Sequence, residues 1–399
     1  MRLKRNIPNL RFKEFSGEWE EKRLGEIGES FIGLTYKPTD IVAKDGIIVF
    51  RSSNIQNGVI DYKDIVRVDR KVKEKLITKK DDLLVCARNG STRLIGKNAL
   101  LKEVDSNQTF GAFMMVFRSD KNRFVHQLLN TKRYMSQISE NLGARINQIT
   151  SADLSSFKFF FPQNYEEIQK IASFLDLLDE RIATQNKIIE ELKQLKNGIS
   201  LNLFTNRIIF DKQITLSKCG TLRNGYAFKS STYNLKGKYS IITIANVTGS
   251  RFIESVDCNK VTQIPEDIQS HQILSNGDIL ISLTGNVGRV SLCTDGHFLL
   301  NQRVGLFELS DSIDKEFIYQ VLSSKHFENE MIAKGQGAAQ MNINKNDVES
   351  YVIPYSTNLQ NIRIVSSLLK SLDEKILTME HLLLSYNKQK TYLLRQMFI

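Results

Sequence analysis

The sequence predicts an α+β protein made of two similar globular domains, each followed by a long helix. Three observations support this fold class: an internal pseudo-twofold repeat, a heptad pattern at the end of each copy, and short β-rich segments before it. The two helices are expected to pair as an intramolecular coiled coil. The predicted boundaries are 1–162 and 206–356 for the globular domains and 163–205 and 357–399 for the helices.

Length and composition limit the function. A chain of 399 residues can form two domains with their own cores. The net charge of +11 favours a polyanionic partner, nucleic acid first and an anionic membrane surface second. Four scattered cysteines without a CxxC pair argue against a zinc site or disulfide framework and fit the cytoplasm. The chain shows neither a signal peptide nor an apolar run long enough to span a membrane.

An internal duplication accounts for the repeat. The phrase "SFLDLLDERI" (173–182) returns as "SSLLKSLDEKI" (366–376), and residues 143–204 match residues 337–398 without insertion. Upstream the match is weaker but stays in order.

One upstream match pairs "NQTFGAF" (107–113) with "NQRVGLF" (301–307), again 194 residues apart. The simplest account is that residues 1–205 and 206–399 are two copies of one unit, well matched in their helices and divergent elsewhere.

The end of each copy has the three-four spacing of apolar residues that is typical of a coiled coil. Each helix should run for roughly 35 residues, or about 50 Å. Alternatively, each helix packs only on its own globular domain. The predicted seam consists of Ile168, Ile171, Leu175, Leu178, Ile182, Ile189 and Leu192 in the first helix, and Ile362, Val365, Leu369, Leu372, Ile376, Met379 and Leu383 in the second.

The repeated phrase carries two adjacent carboxylates, Asp179-Glu180 and Asp373-Glu374. Paired carboxylates can serve acid–base or metal chemistry, but adjacent helical residues do not face each other. Both pairs are therefore expected to lie off the seam, on the outer face of the helix, solvated or facing a partner.

The first two thirds of each copy alternate short β-rich runs with polar loops. Strands are expected within 46–55, 81–88, 111–118 and 157–162, and within 239–247, 277–285, 304–309 and 350–354, with helices at 122–140 and 315–334.

The loops between these elements are rich in side chains that bind phosphates and base edges. Arg pairs with guanine, and Asn or Gln with adenine, through two hydrogen bonds each. The candidate DNA contacts are Arg88, Asn89, Arg93, Lys97, Gln108, Arg145, Asn147 and Gln148 in the first copy, and Thr284, Asn286, Arg289, Gln302, Arg303, Gln336, Gln340, Asn342 and Asn344 in the second.

Signals of catalysis are missing from the sequence. There is no GxxxxGK[ST] phosphate loop, no HExxH zinc motif and no Asn/Asp-Pro-Pro-Tyr/Phe motif of amino-methyltransferases. No catalytic residue and no metal ligand is predicted.

These features together resemble the specificity subunit of type I restriction-modification systems. The opening "PNLRFKEFSGEWEEKRLGEI" (8–27) is similar to the start of that family, and "EIQKIASFLDLLDERI" (167–182) and its second copy are similar to its conserved helical regions. The motif at 337–348 keeps the family's Gln-then-Ile-Asn form, from which the motif at 143–154 departs.

The resemblance implies two target recognition domains, each reading half of a bipartite site in double-stranded DNA, and helices that form an antiparallel spacer. It also implies a complex with two methyltransferase (modification) subunits, which methylate adenine N6 with S-adenosylmethionine. Restriction subunits would add translocation and cleavage that depend on ATP and Mg²⁺. The specificity subunit itself binds no cofactor and supplies no catalytic group.

Two alternatives belong to other classes. A stand-alone DNA methyltransferase or nuclease would need a cofactor loop or a metal-carboxylate cluster. A coiled-coil scaffold that binds only proteins would not need the positive charge or the Asn/Gln/Arg loops.

Overall fold

Two long helices are shared between two α+β units in the computed structural model, which describes residues 6–104, 107–142, 147–205, 208–336 and 341–399. Unit 1 comprises Met1–Gln185 with Leu382–Ile399, and unit 2 comprises Asn186–His381. The boundaries between the units therefore lie within both long helices, whereas the boundary between the two copies of the repeat lies after the first long helix.

Unit 1 contains four small sheets, in the strand orders β1-β12, β10-β4-β7-β3, β2-β11-β8-β9 and β5-β6. Its strands are β1 (Glu20–Arg23), β2 (Glu29–Ile32), β3 (Ile41–Val42), β4 (Ile47–Phe50), β5 (Ile55–Gln56), β6 (Val59–Ile60), β7 (Val66–Val68), β8 (Leu83–Cys86), β9 (Asn98–Leu100), β10 (Gln108–Phe110), β11 (Met114–Arg118) and β12 (Lys158–Phe161). Its helices are α1 (Asn122–Leu128), α2 (Lys132–Leu142), α3 (Ser151–Ser156) and the first part of α4 (Tyr165–Thr205).

Unit 2 repeats this plan with the sheet orders β13-β22, β14-β21-β18-β19 and β16-β15-β20-β17. Its strands are β13 (Lys212–Thr215), β14 (Gly220–Asn224), β15 (Tyr239–Ile242), β16 (Asn259–Val261), β17 (Ile273–Leu274), β18 (Ile279–Ser282), β19 (Val290–Leu292), β20 (Phe298–Leu300), β21 (Val304–Leu309) and β22 (Val352–Tyr355). Its helices are α5 (Lys315–Leu322), α6 (Lys325–Gly335), α7 (Lys345–Glu349) and the first part of α8 (Leu359–Met397).

The predicted α+β class and internal repeat are confirmed. The sheet β2-β11-β8-β9 in unit 1 and the sheet β14-β21-β18-β19 in unit 2 are covered on both faces. This explains their continuous apolar strands. In β11, Met115 and Phe117 point into the cluster that includes the helices, while Met114 and Val116 point into a second cluster against the other sheet. The predicted helices at 122–140 and 315–334 are each two helices, interrupted after Leu128 and after Leu322.

The predicted register of one repeat segment is wrong. Strand pairing places Gly111 beside Leu34, and Asn301 beside Tyr226, at the same point of each unit. Gly111 is therefore the equivalent of Asn301, and the match of 107–113 with 301–307 is displaced by four residues. The identical residues in the two segments are misleading, because the segment that joins β8 to β11 is shorter in the second copy. The pairing of the strands defines which residues are equivalent.

Each unit is completed by a helix end from the other copy of the repeat. In unit 1, Phe398 lies against Trp19 and Phe124, with ring centroids 6.3 and 5.3 Å away. In unit 2, Phe204 packs edge-on against Phe317 at 6.2 Å. Leu393 and Met397 join the unit 1 core, and Ile199 and Leu203 pack on the unit 2 core.

The two helices run antiparallel within each unit. In unit 2, Lys193 pairs with Glu380 at 2.8 Å and Lys196 pairs with Asp373 at 2.6 Å. In unit 1, Lys390 pairs with Asp179, and Arg181 lies over the ring of Tyr386. In both units the residue numbers along α8 fall as those along α4 rise. The predicted antiparallel pairing is therefore confirmed.

The predicted seam is buried or half-buried along its length. Nine of its fourteen residues are buried, and Ile182, Leu192, Leu372, Met379 and Leu383 are half-buried. Ile168 and Leu175 belong to the same cluster as the core of unit 1, so the seam packs on the globular core as well as on the other helix. The coiled-coil interpretation and its alternative each describe part of the contact.

The expectation for the repeated carboxylates is wrong for the aspartates and correct for the glutamates. Asp373 is only 6% exposed, and it accepts hydrogen bonds from Lys196, Arg251 (3.0 Å) and Gln320 (2.7 Å). Glu374, its neighbour, is exposed. The heptad pattern missed this because a buried carboxylate needs partners, and two of the three come from the globular domain.

The partners of Asp373 allow a test of its role in stability. Replacing Asp373 with Ala should destabilise unit 2 by about 3 kcal/mol, because the charge of buried Arg251 loses one of its two carboxylate partners. Native-state hydrogen exchange of amides in α5 and β18 would measure this local free energy of opening.

The matched control is the adjacent exposed position. Glu374→Ala should change the same free energy by no more than about 0.5 kcal/mol. Equal effects of the two substitutions would contradict a buried structural role for Asp373.

Candidate nucleic-acid interface

Two loops predicted to contact DNA meet a third loop in unit 1. Ile149 N donates to Ala87 O at 2.9 Å, and Arg88 and Gln148 form an isolated antiparallel bridge. The backbone N–H groups of Ala87 and Arg88 both donate to the carbonyl of Phe113, at 2.9 and 3.0 Å. We call these residues, 87–89, 113 and 147–149, the unit 1 ribbon.

Unit 2 builds the same backbone frame. Ile343 N donates to Leu283 O at 2.9 Å, and Leu283 N donates to the carbonyl of Arg303 at 3.0 Å. Thr284 and Asn342 form the bridge that corresponds to Arg88 and Gln148. We call residues 283–285, 303 and 341–343 the unit 2 ribbon.

The ribbons share their backbone but not their side chains. Arg88 in unit 1 corresponds to Thr284 in unit 2, and Gln148 corresponds to Asn342. Hydrogen bonding between β-like segments holds the main chain, so the outward side chains can vary without changing the frame. Such a surface can present two different sets of donors and acceptors to two different ligand sequences.

Several predicted contacts lie on or beside the ribbons. Arg88, Arg303 and Asn342 are exposed, whereas Thr284 and Gln148 are half-buried. Asn89 and Asn147 are half-buried and also support the loops, because Asn89 Nδ2 donates to Ser52 Oγ and Asn147 Nδ2 donates to Gly90 O.

Other predicted contacts lie in the flanking loops. Of these, Arg93, Asn286, Gln302 and Gln336 are exposed, and Lys97 and Arg289 are half-buried. Asn344 caps α7, since its side-chain oxygen accepts from the backbone of Asn346 and Asp347. Arg145 and Gln340 fall outside the residues that the structure describes.

Gln108 is not brought to this surface. It begins β10, pairs with Ile48 of β4 and is only 5% exposed, so its side chain points into the domain. The sequence predicted a contact here because Gln108 lies in a polar run, and the corrected register also removes its match to exposed Gln302.

Phe113 is the ribbon residue that sequence reasoning missed. The run "GAFMMVFR" predicted a strand beginning at Gly111, in which Phe113 would be an ordinary strand residue. The strand begins at Met114, whose N–H bonds to Gly111 O in a turn, and Phe113 is 59% exposed. The sequence carries no signal for this exposure, because the run around Phe113 is as apolar as a buried strand.

A polar cluster between α1 and the first half of α4 could hold a metal by geometry alone. His126, Asp176 and Asp179 each place one ligand atom within 4.8 Å of the others. However, Arg123 already binds Asp176 at 2.6 Å, and Lys390 binds Asp179. A divalent cation would have to displace both side chains, so the cluster is better described as a network that fixes the helices.

Burial has a clear effect on His126. Desolvation lowers its pKa to about 4, and the charge of Lys390 acts in the same direction. Asp179 and Asp176 oppose the shift, and Lys102 adds to it. His126 is therefore neutral at pH 7.

The cysteines do not suggest a nucleophile. All four are free and buried. Burial raises the pKa of Cys86 to about 11 and that of Cys293 to about 12, so both thiols are protonated at neutral pH. Separately, none of the described helices is long and apolar enough to cross a membrane.

Known proteins are similar to large parts of this chain. The family model "Type I restriction modification DNA specificity domain" matches residues 16–194 and again 212–384. The MjaVIII specificity subunit of Methanocaldococcus jannaschii, a type I restriction enzyme, is 26% identical over 92% of this chain and 89% of its own. The EcoKI specificity subunit of Escherichia coli K12 is 25% identical over 65% of this chain and 60% of its own.

A solved structure shares the fold. The S subunit of a type I restriction-modification system from M. genitalium matches with a TM-score of 0.64 and 18% identity, over 98% of this chain and 99% of the other.

The buried histidine predicts a pH dependence of stability in unit 1. The pKa of His126 is near 6.5 in the unfolded chain and about 4 in the folded protein. As the pH falls, the unfolded chain therefore binds a proton at a higher pH than the folded protein does. The free energy of unfolding should fall as pH drops from about 6.5 to 4, and this group should have no effect above that range.

Unit 2 carries Tyr319 at the place of His126, so His126→Tyr is a natural replacement. It should flatten the stability profile between pH 6.5 and 4. Urea unfolding followed by fluorescence of Trp19, the single tryptophan and part of the unit 1 core, would measure it. Parallel profiles for the two proteins would contradict the assignment to His126.

Proposed function

The chain belongs to the type I restriction-modification DNA specificity family, and from this we propose that its two units read the two halves of one bipartite site in double-stranded DNA. The observation that carries the proposal is the pair of ribbons, which share a backbone frame but present different side chains. One frame used twice suits two readers, and different side chains suit two different half-sites.

The charge of the chain supports the same ligand. A net charge of +11 favours a polyanion, and phosphate contacts of this kind supply affinity without sequence information. Exposed side chains on the ribbons would then supply the specificity.

We infer that the long helices set the distance between the two half-sites and bind two methyltransferase subunits. Exposed apolar residues on both helices support docking of a partner: Leu177, Leu195, Leu201, Leu384 and Tyr392. Binding of restriction subunits that translocate and cleave DNA belongs to the same proposal.

The chemistry would belong to the partners. Methylation of adenine N6 with S-adenosylmethionine, and cleavage that uses ATP and Mg²⁺, would take place in those subunits, in the cytoplasm. This chain would supply recognition alone. No feature of the described residues favours a stand-alone methyltransferase, a nuclease or a scaffold that binds only proteins.

The direct test is to sequence the methylome of a strain that contains only this chain and its methyltransferase partner. We expect one gapped motif with methylated adenine. An expressed, active complex that leaves no gapped motif would contradict the proposal.

The spacing role predicts the effect of a longer spacer. Inserting four residues after Gln185 in α4 and four after His381 in α8 keeps the pairs Lys196–Asp373 and Lys390–Asp179 within their units. The insertion adds one helical turn, roughly 6 Å, so the gap in the motif should lengthen by about two base pairs.

Insertion in α4 alone is the control for this experiment. It shifts one helix against the other and should reduce activity rather than lengthen the gap. An active double-insertion complex with an unchanged gap would argue against a spacing role.

A further inference from the structure

Backbone hydrogen bonds place Phe113 in an exposed position. Its carbonyl accepts hydrogen bonds from the N–H groups of Ala87 and Arg88, and the turn from Gly111 to Met114 directs it away from the core. The nearby Phe110 and Phe117 are fully buried, so the exposure of Phe113 sets it apart from the other aromatic rings of this segment. An exposed aromatic ring beside other candidate DNA contacts is suited to a binding contact.

A cation lies on one face of this ring. The guanidinium carbon of Arg88 is 5.3 Å from the ring centroid, within the range of a cation–π interaction. Arg88 is exposed and forms no ion pair with any acid in the described part of the chain. The ring therefore lies beside a positively charged group, which suits an apolar feature on a polyanion.

The equivalent position in unit 2 carries a different chemistry. Arg303 takes the place of Phe113, since its carbonyl accepts from Leu283 as that of Phe113 accepts from Ala87. Arg303 is exposed, and its guanidinium makes no hydrogen bond or ion pair with the residues described. Arginine is suited to the O6 and N7 acceptors of guanine, whereas a phenyl ring has no hydrogen-bonding group and suits the apolar methyl of thymine.

We propose that Phe113 contacts the C5-methyl group of a thymine in the half-site that unit 1 reads. The thymine methyl is the apolar group that base pairs display in the major groove, and apolar side chains such as Phe recognise it. The inference rests on the proposed function and adds to it a specificity-determining residue and the base that it recognises.

Uracil tests the contact by removing only the methyl group. The wild-type complex with its methyltransferase partner would first select its bipartite sequence from a random double-stranded DNA library. Each thymine of that sequence would then be replaced by uracil, and Kd would be measured at constant salt. We expect about a fourfold loss of affinity at one thymine of one half-site, the value for one buried methyl group.

Two substitutions decide whether Phe113 is responsible. In Phe113→Ala, uracil at that thymine should bind as well as thymine, while losses elsewhere in the sequence remain. Phe113→Leu keeps an apolar side chain and should retain part of the methyl effect. Arg303→Ala, the matched control, should relax the other half-site and leave the methyl effect unchanged.

The outcomes separate this inference from the proposed function. A wild-type complex that selects no bipartite sequence overturns both. A complex that selects one but is indifferent to every thymine methyl in the unit 1 half-site overturns the inference alone. The same holds if Phe113→Ala and Phe113→Leu lose as much affinity on uracil as the wild type.

Discussion

The structure depends on an exchange of helix ends between the two copies of the repeat. Phe398, from the second copy, completes the core around Trp19 and Phe124, and Phe204, from the first copy, packs against Phe317. Neither copy contains all the side chains that its own core requires. The helix sequences must therefore stay compatible with two environments, and this explains why they match better than the rest of the repeat.

The repeated acidic phrase follows from the same exchange. Asp179 accepts from Gln127 of its own domain and is bound by Lys390, while Asp373 accepts from Gln320 and is bound by Lys196. The lysine of each copy thus binds the aspartate of the other. Because a buried carboxylate is costly without such partners, these positions fix the helix register and leave little freedom for substitution.

The loops are under a different constraint. Their backbone is held by hydrogen bonds that any residue can make, so the two ribbons could diverge in side chains without losing their frame. Composition and loop chemistry predicted the general location of the candidate surface from sequence. They did not distinguish exposed Phe113 from buried Gln108, because the pairing of β10 with β4 buries Gln108 and the turn at 111–114 exposes Phe113.

Periodic patterns and local motifs were enough to predict the fold class, the repeat, the two long helices and the family, because such patterns extend over many residues. Only the tertiary structure showed that each unit contains helix segments from both copies, that Asp179 and Asp373 point inward, and that three separate loops form one ribbon. Those features depend on contacts between residues far apart in the chain, and periodicity within one segment carries no information about its distant partner.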